Sequence, residues 1–160
     1  SRIVVAGSVS EHIYQTMVTS DWASINLSRL ELLFVLPDED LDALKSLAHG
    51  FILPIGFGGG TNIKTAEAIY SGAHIVATPA AFRGYEEFLD FPEISIGCDT
   101  AEFQKAVRTV LQAPSASESA PGTPGWASRQ RLTWQNRLSA LPAVASSIER
   151  SGAVNGTHLV

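Results

Sequence analysis

The sequence predicts an α/β fold: a parallel sheet of about five strands with helices on both faces, followed by a C-terminal helix. Three observations carry this. Short apolar runs recur from Ile3 to Gly97, each too brief for a helix and each closed by turn chemistry. Helical patterns lie between them, and such alternation means parallel strands joined by right-handed crossovers. The runs are almost continuously apolar, as suits strands covered on both faces.

In chain order, Ile3 to Gly7 reads as a first strand closing on a glycine, and Leu30 to Val35 as a second. Phe51 to Pro54, His74 to Thr78 and Glu93 to Gly97 read as the third, fourth and fifth. The first helix is expected over Glu11 to Thr19. Asp38 is expected to N-cap a second that carries Leu41, Leu44 and Ala48 on one stripe. Thr61 can cap a third running to Ser71, where Gly72 supplies the stop. Asp99 with Glu102 resembles a capping box, opening a helix through Leu111 with Phe103, Val107 and Val110 inward.

This gives a Rossmann-like domain over 1–112 and a Pro/Ser/Gly linker over 113–125. A C-terminal helix over 126–150 is expected to pack on the domain through Trp134, Leu138 and Leu141, with Pro142 kinking or ending it. A frayed tail is expected over 151–160. No internal repeat is visible.

Bulk properties narrow the function. Hydrophobic residues make up 45% of the 160 and charged residues 17%, enough for a core and unlike a disordered chain. A net charge of −5 argues against nucleic acid and anionic membrane surfaces as partners of the chain as a whole. A phosphate-bearing ligand stays open, because backbone N–H groups bind anions without net positive charge. Cys98 is the single cysteine, so neither an intrachain disulfide nor a cysteine metal cluster can form. His12, His49, His74 and His158 have no zinc-like spacing. No apolar run reaches membrane-span length. Cytoplasmic residence is the expectation. Ser1 without a preceding Met suggests a trimmed or partial chain.

The informative stretch is Phe57-Gly58-Gly59-Gly60-Thr61-Asn62-Ile63-Lys64-Thr65-Ala66-Glu67-Ala68. It follows a strand and opens a helix. Successive glycines let the backbone take positive φ and let a ligand approach closely. The helix start offers unpaired N–H groups and partial positive charge, a site suited to phosphate. In an open parallel sheet, ligands bind beyond the carboxyl ends of the strands, where this loop lies. Lys64 and Glu67 share a helix face. Lys64 can reach an anion held by the loop, and the oxygens of Glu67 can accept hydrogen bonds from neighbouring hydroxyls such as a ribose offers. The same pair is equally what an exposed surface ion pair, worth about a few tenths of a kcal/mol, looks like. The spacing matches neither a Walker A loop nor Gly-x-Gly-x-x-Gly.

Phe51 to Gly84, FILPIGFGGGTNIKTAEAIYSGAHIVATPAAFRG, resembles the C-terminal domain of bacterial GT-B glycosyltransferases of the glycogen-synthase-like retaining group. The resemblance rests on Gly58, Gly59, Gly60, Lys64, Glu67, Ala68, Gly72, Val76, Ala77 and Thr78 taken together, and extends more loosely to the rest of the chain. It implies that Lys64 contacts the diphosphate of a nucleotide-sugar donor and Glu67 its ribose. These two are the candidate catalytic residues. Gly58, Gly59, Gly60, Thr61, Asn62, Ile63 and Arg83 complete the candidate substrate-binding set. Neither metal nor cofactor is expected. Many members carry a Glu eight residues before the ribose Glu; here Gly59 stands there, as in a subset with a glycine loop. The family domain also starts with a further strand-helix unit and follows an N-terminal acceptor-binding domain. Both are expected to be missing, leaving the chain inactive alone and open to self-association at an exposed sheet edge.

Other residues rank lower. Val35, Leu36 and Pro37 can flank a base or simply pack. His74 and Trp134 read as structural, Cys98 as inert, and His12 and His49 show no evident partner. Two rival functions share parts of this pattern. A nucleotide-sugar epimerase would use the same nucleotide site with a different second domain. A receiver-like interaction module would need an acidic cluster at the strand ends, and none follows Ile3 to Gly7.

Overall fold

A computed structural model describes residues 2–19, 27–57, 62–116, 124–139, 141–143 and 146. Its order is β1 (Ile3–Ala6), α1 (Ser8–Thr19), β2 (Leu30–Leu33), α2 (Asp38–Leu47), β3 (Gly50–Leu53), α3 (Ile63–Ser71), β4 (His74–Ala77), β5 (Ile94–Ile96), α4 (Thr100–Gln112), α5 (Pro124–Gln130) and α6 (Trp134–Arg137). Short 3-10 turns lie at Leu27–Arg29, Pro79–Phe82 and Glu86–Phe88. The protein is α/β, every strand pairing is parallel, and each strand lies where an apolar run placed it.

The single five-stranded sheet is corrected. β1 pairs with β2 in one sheet, and β3, β4 and β5 form another in that order. No ladder joins the two among the described residues. Apolar runs identify strands, but tertiary packing chooses their hydrogen-bond partners. Ile3, Val4 and Ile52, on β1 and β3, are exposed, so apolar burial does not draw these two strands together.

The core sits in the larger sheet, on α3 and in the turns between β4 and β5. Leu53, Ala68, Ile69, Ile75, Ala77, Ala81, Phe82, Tyr85 and Phe88 form one buried cluster. Each large side chain there contributes about 1.5–3 kcal/mol by leaving water. α4 packs on β4 and β5 with Phe103, Val107 and Val110 half-buried. Gly97 is required where α4 meets β5, since a Cβ there would lie 2.5 Å from the Phe103 Cα. α1 covers β1 and β2, and its entry turn depends on Gly7 at φ 98°. The buried Ser10 hydroxyl, 2.7 Å from Val5 O and 3.1 Å from Leu33 O, ties that turn to both strands.

Helix ends follow their chemistry with two changes. Gly72 takes the left-handed conformation at φ 70° and stops α3. Asp99 Oδ1 accepts from Glu102 N at 2.9 Å, while the Glu102 carboxylate accepts from Cys98 N at 2.9 Å, one residue before the position a strict capping box uses. Asp38 is the first residue of α2 rather than its cap; Pro37 precedes it without a side-chain cap. Thr61 lies outside the described residues, and Asn62 is the N-cap position of α3.

Among the described residues, the helix expected from Trp126 is broken at 131–133, which separate α5 from α6, and 141–143 are again helical. Thr133 explains the break: its Oγ1 donates to Gln130 O at 2.9 Å and accepts from Asn136 N at 3.4 Å, closing one helix and opening the next. α5 packs against α3 through Arg129, which is fully buried. Its guanidinium pairs with the buried Glu93, donates from Nε to Ile69 O at 3.1 Å, and lies 5.2 Å from the Phe91 ring centre. Gly125 makes room for it: a Cβ there would lie 2.5 Å from Nη1. Leu138 and Leu141 are exposed. The Trp134 side chain, most of the 113–125 linker and the 151–160 tail lie outside what the structure describes.

Candidate functional site

The site begins where β3 ends. Leu53 is the last residue of β3, and the chain returns as α3 at Ile63. Gly58, Gly59, Gly60 and Thr61 lie outside the described residues. What flanks them is described: Ile55, Asn62, Ile63 and Lys64 line an open hollow of about 340 Å³. It lies at the carboxyl end of β3 and the amino end of α3, the end at which parallel sheets hold ligands and helices attract anions.

The entry to α3 is held from the side of the next strand. Asn62 makes no cap with its side chain; its Nδ2 donates to Ala80 O and Ala81 O, each at 3.2 Å. The buried Thr65 hydroxyl donates to Ala81 O at 2.7 Å. The Thr78 hydroxyl donates to Ile55 O, securing the chain just past β3. The first turn of α3 is thereby fixed against the segment after β4, and its cap residue's side chain is not used on the helix.

Lys64 is exposed on that turn and makes no ion pair among the described residues. Ile63 is also exposed. Glu67 lies one turn deeper, outside the lining of the hollow. It does form an ion pair, but with a residue that spacing did not suggest: Lys45 Nζ of α2 lies 3.2 Å from Glu67 Oε2. Lys45 also lies 3.4 Å from Asp42 Oδ1. Burial pulls the Lys45 ammonium down, yet hydrogen bonds and charge from Glu67 and then Asp42 outweigh this and hold it above its ordinary value. Arg83 is exposed at the end of the 3-10 turn whose carbonyls hold Asn62 and Thr65. It shares that segment but does not line the hollow.

Lys45 and Ile55 are the residues that sequence reasoning missed. Ile55 carries a weak signal, being the apolar residue after the Pro-ended strand. Lys45 carries none, because its partner is on another helix. Val35 is largely exposed past β2, and Leu36 is partly buried. His49, without a partner in sequence terms, has one here: its Nε2 lies 2.8 Å from Val110 O, and its ring centre 5.2 Å from that of His74. His74 Nε2 in turn lies 2.8 Å from Pro114 O, so both rings fasten the end of α4 and the residues just past it. Cys98 is exposed.

A second hollow of about 370 Å³ is lined by Pro79, Phe82, Glu86, Leu89 and Ile96. Its one carboxylate, Glu86, accepts from Gly84 N at 3.0 Å through both oxygens, which lowers its pKa. Among the described residues no three His, Cys, Asp or Glu side chains are placed to hold a metal ion, and no helix is long and apolar enough to cross a membrane. No protein-family model matches this chain and no curated protein matches it, so its own residues carry the functional argument.

Proposed function

We propose that this chain is the nucleotide-sugar-binding half of a GT-B type glycosyltransferase. One observation supports the reading most: Lys64 and the start of α3 border one open hollow at the carboxyl end of β3, in the segment that follows the glycine run in sequence. The N–H groups of the loop and helix start, with Lys64, hold the donor's diphosphate. Glu67 accepts hydrogen bonds from the ribose hydroxyls. In the transfer, the bond from the sugar carbon to the diphosphate oxygen breaks and a bond to an acceptor oxygen forms. Charge growing on the leaving diphosphate is met by preorganised donors. The acceptor binds mostly to a second domain, and retention at the sugar carbon is what the resemblance implies. The setting is a reducing cytoplasm, consistent with the lone Cys98.

The test is amide chemical-shift mapping with UDP, GDP and ADP and their sugars. Perturbations are expected to centre on residues 58–63, with Lys64 beside them. Binding mapped to the hollow at Phe82 and Glu86, or no binding by any of these nucleotides, would overturn the assignment.

A further inference from the structure

We propose that Lys45 is a positioning residue of the nucleotide site, fixing the Glu67 carboxylate so that the site selects ribonucleotides over analogues without ribose hydroxyls. This rests on the reading of Glu67 as the ribose ligand.

A glutamate side chain on a helix surface has three rotatable bonds, and ordering it for a ligand costs entropy. Glu67 is about half exposed, with 47% of its side-chain surface open, so packing alone does not hold it. Lys45 does. Its side chain is less exposed, at 28%, and its ammonium touches two carboxylates, Glu67 at 3.2 Å and Asp42 at 3.4 Å. Asp42, one turn earlier on α2, gives the ammonium a second anchor on its own helix. The contact takes Oε2 of Glu67 and leaves Oε1 with its acceptor capacity for a hydroxyl.

The direction of approach fits that division. Lys45 lies in the last turn of α2, shortly before β3 begins. It therefore reaches Glu67 from the amino-end side of β3. The hollow lined by Lys64 lies at the opposite, carboxyl end. A ligand seated in the hollow and extending one turn along α3 would reach a carboxylate that Lys45 already holds. The ordering cost is met before binding, which raises affinity for a ligand that uses the carboxylate and leaves any other ligand unaffected.

A purely structural tie between α2 and α3 would change stability without changing which nucleotide is preferred. Calorimetry on the full chain therefore compares UDP, GDP and ADP with their 2′,3′-dideoxy counterparts, for the unaltered protein and for Lys45→Met, Lys45→Arg and Glu67→Gln. Lys45→Met is expected to weaken the best-bound ribonucleotide about two- to fivefold, the scale of a partly exposed ion pair. The dideoxy counterpart should be unchanged, and Lys45→Arg should restore the preference. Thermal melting of each variant keeps folding separate from binding. If Glu67→Gln abolishes the preference but Lys45→Met retains it, the role of Lys45 is overturned while Glu67 stands as ribose ligand. If the unaltered protein shows no preference, the ribose assignment of Glu67 falls and the role of Lys45 with it.

Discussion

At the scale of residues, two carboxylates show how environment decides role. Glu93 and Arg129 are buried together, and burial pulls the Arg129 pKa down. Removing one charge from such a pair strands the other. Glu93→Gln is therefore expected to cost about 3–5 kcal/mol, whereas Glu93→Leu with Arg129→Met should cost clearly less, because no uncompensated charge remains. Denaturant melts of the three proteins check this, and equal losses for the single and double changes would show that packing, not charge, dominates. Glu86 is at the surface and behaves differently. Backbone donation, first from Gly84 N, lowers its pKa below the ordinary 4.5. The contact is thus complete above that value and is lost as pH falls through the lower, folded one. The Gly84 amide shift should follow this titration with a midpoint below 4.5, and Glu86→Gln should abolish it.

At the scale of elements, β1 is the exposed strand. Ile3 and Val4 are 43% and 37% accessible, although both are apolar and sit in a ladder with β2. A parallel edge with open N–H and C=O groups is a template for pairing with another copy. Self-association through this edge is expected to rise with concentration in sedimentation velocity. Val4 stands opposite Glu31 in the register, so Val4→Lys places a cation beside an acid and disfavours edge pairing without breaking the β1–β2 pair. Reduced association with an unchanged melting temperature is the predicted result; association unaffected by the change would exclude β1 as the contact.

At the scale of the whole molecule, burial is uneven. The buried cluster runs from Leu53 to Phe88, all in the larger sheet, α3 and the segment after β4. Among the described residues before Leu53, only Ser10 is fully buried. Local stability tracks buried apolar contact, so the two parts should open at different free energies. Amides of β4 and α3 are expected to exchange only through global unfolding, and those of β1, α1 and β2 through an easier, local opening. Native-state hydrogen exchange with added denaturant measures both. A single common opening energy would mean that the contacts through α2, including Lys45 with Glu67, weld the parts into one cooperative unit.

Features that depend on near neighbours were legible in the chain alone. Apolar run length placed all five strands, and αL-tolerant Gly72 and the Asp99–Glu102 pair set helix ends, because those preferences act within a turn or two. The same locality makes the start of α3, just past the glycine run, readable as a helix end. Strand pairing emerged only once the chain had packed. Nothing local tells β1 to bond β2 while, among the described residues, no ladder to β3 forms, because that choice depends on which apolar faces find cover. Nor does anything local reveal that Glu67 meets Lys45 rather than Lys64. Spacing puts Lys64 and Glu67 on one face of a helix, but the packing of α2 beside α3 brings in a second lysine, and the shorter path to an opposite charge wins.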